Sequence, residues 1–74
     1  MTEVSENRSP AGGSAMEAKE IGFIQGEALR KTGSKPEHLE FNMGMEIGDY
    51  ATSPFAEQWR AGFRAGYLGN PRPR

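Results

Sequence analysis

The sequence predicts a small all-α domain of two to three helices behind a disordered N-terminal arm, and three observations carry that prediction. Ser53 to Asn70 holds both a start and a stop signal for a helix. Ile21, Ile24, Ala28 and Leu29 repeat at helical spacing downstream of Ser14. The one stretch with the period of a strand has no second strand to pair with, and a lone strand cannot satisfy its backbone. The expected organisation is an arm over residues 1–13, a helical domain over 14–70 and a basic tail over 71–74.

The arm, MTEVSENRSPAGG, offers only Met1 and Val4 as sizeable apolar side chains. That is too little burial to offset the entropy of ordering it. Ser14 followed by Glu17 is a capping box, which starts a helix from about Ala15 to Thr32. Gly33 occupies the left-handed cap position that ends it, and Ser34-Lys35-Pro36-Glu37 supplies a new start signal, so a turn is expected at 33–35.

The middle segment reads two ways. Leu39, Phe41, Met43, Met45 and Ile47 alternate with Glu40, Asn42, Gly44, Glu46 and Gly48, the period of a half-buried strand. Leu39, Met43 and Ile47 also fall at i, i+4, i+8, the spacing of one helix face. The helix is preferred, with a strand over 37–50 as the alternative. The preference rests on internal similarity. Gly22-Phe23-Ile24-Gln25-Gly26, Gly44-Met45-Glu46-Ile47-Gly48 and Gly62-Phe63-Arg64-Ala65-Gly66 share one pattern of glycine, apolar residue, two variable residues and glycine. A glycine inside a helix costs about 0.5–1 kcal/mol relative to alanine. Close helix packing at Gly22, Gly26, Gly62 and Gly66 is the natural reason to bear that cost.

The last helix is expected over about 54–68. Ser53 caps it, Pro54 fits its first position, and Gly69 with Asn70-Pro71 stops it. Along it Phe55, Trp59, Phe63 and Tyr67 recur every four residues and form an aromatic ridge, either core or a docking surface for a partner.

At 74 residues without a cysteine, the chain must be stabilised by burial or association, with neither disulfides nor a thiolate zinc site available. The net charge of −1 argues against a protein that coats nucleic acid over its whole surface, so such binding must be confined to a patch. No run approaches the roughly 18 apolar residues of a membrane helix, and residues 1–15 lack the apolar centre of a signal peptide, so a cytoplasmic protein is expected.

Reaction chemistry is sparse. His38 is the sole histidine, and with Glu37 and Glu40 it lacks the clustered His or Cys of a strong metal site. Glu46 and Asp49 lie one turn apart, as solvated acids on a helix commonly do. Thr32-Gly33-Ser34-Lys35 lacks the Gly-Lys adjacency and preceding strand of a phosphate-binding loop. No catalytic residue, metal or cofactor is expected.

Charge is segregated instead. Arg30, Lys31 and Lys35 gather at the end of the first helix, where Arg30 and Lys31 complement its dipole. Arg60, Arg64, Arg72 and Arg74 follow one another with no acid after Glu57, a helix face and tail able to grip phosphates.

The segments Gly62-Phe63-Arg64-Ala65-Gly66-Tyr67-Leu68-Gly69 and Pro54-Phe55 with Trp59 and Gly62 resemble those of the ribosome modulation factor family and its CrpP-like relatives. Those very short bacterial proteins have two glycine-containing helices joined by a linker with a Pro-aromatic element. In this comparison Gly22-Phe23, Gly26, Ala28 and Gly33 answer the first helix, Ser53-Pro54-Phe55 the linker, and Trp59 with Gly62 the second helix. The resemblance spans roughly residues 20–66 and implies ribosome association. The sequence therefore points first to a non-enzymatic binding module, a modulator bound to the ribosome or structured RNA through Arg30, Lys31, Lys35, Arg60, Arg64, Arg72 and Arg74. The alternative is a protein–protein adaptor or inhibitor, of phage or toxin–antitoxin type, or a homo-oligomer, docking through the aromatic ridge. A small-molecule-modifying enzyme of the CrpP type comes third, because no acid/base or phosphate-binding set supports it. No membrane partner is expected.

Overall fold

The computed structural model describes residues 14–71, so the expected arm and the last three residues of the tail lie outside the described residues. The described residues form a small all-α domain of three helices: α1 over Ala15–Lys31, α2 over Leu39–Glu46 and α3 over Ala56–Leu68. Short 3₁₀ turns, Pro36–His38 and Gly48–Thr52, flank α2. The Ser14 hydroxyl accepts the Glu17 N–H at 3.0 Å and starts α1 as expected. At its end Gly33 adopts φ 95°, and the Ser34 N–H reaches back to the Leu29 carbonyl. Gly69 repeats that closure at the end of α3, with φ 77° and the Asn70 N–H on the Ala65 carbonyl.

The start of α3 differs from the expected boundary. The Ser53 hydroxyl accepts the Phe55 N–H at 2.9 Å, and the Ser53 carbonyl accepts the Ala56 N–H, so Pro54 and Phe55 sit in a turn before the helix. A serine bonding two residues ahead closes a local turn and postpones the helix, a competition inherent in short hydroxyl side chains.

Two four-residue steps fix the packing of α1 on α3. A Cβ placed on Gly22 would collide with the backbone of Trp59 and Phe63, and one placed on Gly26 with that of Phe63 and Tyr67. In return, a Cβ on Gly62 would meet Lys19, and one on Gly66 would meet Phe23 and Glu27. An advance along α1 is matched by an equal advance along α3, so the two helices run parallel. Their backbones touch at the two glycine pairs.

Parallel helices require the chain to travel back between them, and the segment through α2 does so along the aromatic side of α3. The Tyr67 hydroxyl, near the end of α3, donates to the Lys35 carbonyl at 2.6 Å and accepts from the Asn42 side chain at 2.9 Å. Tyr50, at the far end of the return, stacks on Trp59 with ring centroids 6.4 Å apart. Trp59–Phe63 and Phe63–Tyr67 continue the ladder at 4.9 and 5.6 Å.

The middle segment is helical, without a strand among the described residues. Met43 and Ile47 are buried and Leu39 is half-buried, whereas Phe41 and Met45 are exposed. The residues at i, i+4, i+8 thus face the core, and the alternation that suggested a strand does not divide inside from outside. The glycine pattern that favoured a helix does not explain it here: a Cβ on Gly44 would meet nothing within 4 Å, and Gly48 is required instead by its φ of 54°.

Candidate functional site

The aromatic ridge is committed to the fold. Trp59 and Phe63 are fully buried, Tyr67 is 3 % exposed, and only Phe55 is half-buried. The Trp59 indole donates to the Gln25 side-chain carbonyl at 2.9 Å, which ties the buried ring to α1. Of the two expectations for the ridge, core and docking surface, its burial matches the core: α3 packs that side against its own return segment.

Gln25 and Asn42 are the polar partners that sequence reasoning missed, and Tyr50 is the stacking ring it missed. A buried indole or phenol needs a hydrogen-bond partner, but the sequence does not say which amide provides it. Tyr50 has a buried hydroxyl with no partner among the described residues. Burial, and then the Glu17 carboxylate, push its phenol above the ordinary value.

The basic residues divide into groups with different duties. Arg30 extends across the helix pair to donate from Nε to the Gly66 carbonyl at 3.2 Å. Its guanidinium and the Lys31 ammonium each lie 3.9 Å from Glu27. Arg60 pairs with Glu57 at 2.7 Å. Arg64 and Lys35 are exposed and take part in no ion pair among the described residues. Arg72 and Arg74 lie outside the described residues.

Because α1 and α3 are parallel, their C-terminal ends coincide, and Arg30, Lys31 and Lys35 share one pole with Arg64. Arg30 touches α3 there, and Tyr67 holds Lys35 beside the same end. Arg64 sits one turn before the end of α3, on the side turned away from the glycine contact. Arg60, a further turn back and already paired, is the least available of the α3 cations. The remaining acid at this end of the helix pair, Glu27, is taken up by Arg30 and Lys31. Two parallel helix C-termini concentrate carbonyl dipoles that this positive charge offsets.

The Thr32–Lys35 turn has no free nest for a phosphate. Its Thr32, Gly33 and Ser34 N–H groups already donate to carbonyls at the end of α1. Glu46 and Asp49 border a surface cleft of about 270 Å³ that Ile21, Gln25, Ile47 and Tyr50 also line. No group of three metal-ligating side chains gathers among the described residues, and none of their helices is long and apolar enough to cross a membrane. Comparison with known protein families, curated proteins and solved structures finds no match.

Proposed function

We propose that this protein is a non-enzymatic module that holds the phosphate backbone of structured RNA at its basic pole, acting in the cytoplasm as a ribosome-associated modulator. The observation that carries this reading is the parallel pairing of α1 and α3, which brings Arg30, Lys31 and Lys35 to the end where α3 delivers Arg64 and the chain continues toward Arg72 and Arg74. A slightly acidic chain with Arg30, Lys31, Lys35 and Arg64 gathered at one end suits a patch-like contact, in which RNA is gripped by shape and phosphate. Lys35 and Arg64 contribute most among the described residues, because neither has an acid to neutralise it.

Co-sedimentation with ribosomes over a salt series tests the proposal. Neutralising Lys35, Arg64, Arg72 and Arg74 to glutamine should abolish binding, and each lost phosphate contact should lower the logarithmic salt slope by a little under one unit. Arg60→Gln should have little effect. Failure of the parent protein to co-sediment even at low salt would end the RNA reading.

A further inference from the structure

The outward ridge of α2 is unexplained by the fold. Phe41 is 69 % and Met45 67 % exposed, one turn apart on the side opposite buried Met43 and Ile47. Gly44 flanks them on the exposed surface of α2, where a Cβ would meet nothing within 4 Å. In α1 and α3 the paired glycines admit a neighbouring backbone; Gly44 weakens the short α2 with no such neighbour. Two bulky apolar side chains beside a notch in a helix surface make a shape that a second segment can fill.

Charge decides what that segment is. Glu37 and Glu40 precede the ridge and Glu46 and Asp49 follow it along the same segment, all exposed and none in an ion pair among the described residues. The chain carries no lysine or arginine between Lys35 and Arg60. RNA and anionic lipid are repelled by such a surface. A second copy seated face to face would set the two carboxylate groups against each other. A cationic segment carrying apolar side chains meets both demands, placing its apolar residues over Phe41, Gly44 and Met45 and its cations against the rim. Methionine and an exposed aromatic ring adapt readily to such a contact.

We infer that the Phe41–Met45 ridge of α2 is a docking site for a cationic amphipathic segment of another protein, separate from the basic pole. Two large side chains form a small contact, at the transient end of the range of protein interfaces.

The test uses the full-length protein and a synthetic helical peptide with leucines on one face and lysines on the other, followed by calorimetry and amide chemical shifts. A control peptide replaces the lysines with glutamate. The lysine peptide should bind and shift amides in 37–49, whereas the glutamate peptide should not bind. Phe41→Ser and Met45→Ser should each weaken binding by roughly tenfold, the effect of losing an interface anchor. Both positions are exposed, so these variants should retain the parent's helical circular dichroism. Gly44→Leu, which fills the notch, should weaken binding while leaving the protein folded. Glutamine at Glu37, Glu40 and Glu46 with asparagine at Asp49 should weaken it and flatten its salt dependence. Lys35→Gln with Arg64→Gln should not weaken it, which separates this site from the RNA surface. The inference is overturned if the lysine peptide fails to bind at millimolar concentration, if the serine variants bind it as the parent does, or if the glutamate peptide binds equally. It is also overturned if the protein alone self-associates in sedimentation and the serine variants abolish that, because the ridge would then be an interface between copies.

Discussion

Replacing Gly62 and Gly66 with alanine sets two effects of known sign against each other. Removing each glycine from the interior of α3 should favour the helix by about 1 kcal/mol. Against this, a Cβ on Gly62 would come within 3.0 Å of Lys19 backbone atoms, and one on Gly66 would come as close to the Phe23 carbonyl and the Glu27 amide. The obstacles are helix backbone and cannot rotate aside, so the helices must separate along their whole contact. Overpacking of this kind costs roughly 1–3 kcal/mol per site, and an immovable partner places it at the upper end. The expected net loss is about 2 kcal/mol per site, or about 4 kcal/mol for the double variant, comparable with the whole stability of a small domain. Gly44→Ala provides the control: with open space around that position, it should stabilise by about 0.5–1 kcal/mol. Chemical denaturation followed by circular dichroism measures the two single variants, the double variant and the control. A double variant with a higher denaturation midpoint than the parent would refute the close parallel packing of α1 on α3.

Trp59→Ala should cost about 3–5 kcal/mol and unfold the domain, since it empties the centre of the aromatic ladder and leaves the Gln25 carbonyl without its donor; an unchanged melting curve would contradict the buried position of the ring. Tyr67→Phe removes the bond to the Lys35 carbonyl and the acceptor for Asn42, so thermal melting should show a loss of about 1–3 kcal/mol, with backbone amide exchange rising around residues 35–42. The folded state holds the Tyr50 proton more tightly than the unfolded chain does, so the stability linked to it is present below the ordinary tyrosine value of about 10 and is lost as pH rises through the higher folded value. Tyr50→Phe should therefore match or exceed the parent near neutrality and gain on it progressively in alkali, and a difference that does not vary with pH would refute the linkage.

The ends of the helices were legible because short-range chemistry sets them. Ser14, Gly33 and Gly69 do in the structure what their residue types require of any chain. The start of α3 was misjudged by two residues because Ser53-Pro54-Phe55 can open a helix or close a turn with the same atoms, and only the neighbouring chain selects between them. The glycine spacing identified surfaces of close approach in α1 and α3 without saying which surfaces meet. The same spacing in the middle segment marks no contact within the fold, because Gly48 serves a turn and Gly44 faces outward. The basic residues were visible as two separate groups. That Arg64 meets Arg30, Lys31 and Lys35 at one pole depends on helix direction, which is set by the length and docking of the return segment and by no local motif.

That direction also determines which parts of α3 remain for function. Its thirteen residues serve two partners: Gly62 and Gly66 admit the backbone of α1, while Trp59, Phe63 and Tyr67 receive the return segment. An antiparallel pair could have been joined by the short turn at Gly33; a parallel pair must route a long connection past the ridge and thereby bury it. The aromatic side chains that look most like a docking surface in the sequence are thus consumed by topology. The exposed side chains of α3 are Glu57, Ala61, Arg64 and Leu68, of which only Arg64 adds unpaired charge. The return segment, amphipathic in its own right, turns Phe41 and Met45 outward because Leu39, Met43 and Ile47 cover the ridge. No other element among the described residues covers them in turn, so the act that completes the core also creates the exposed apolar ridge.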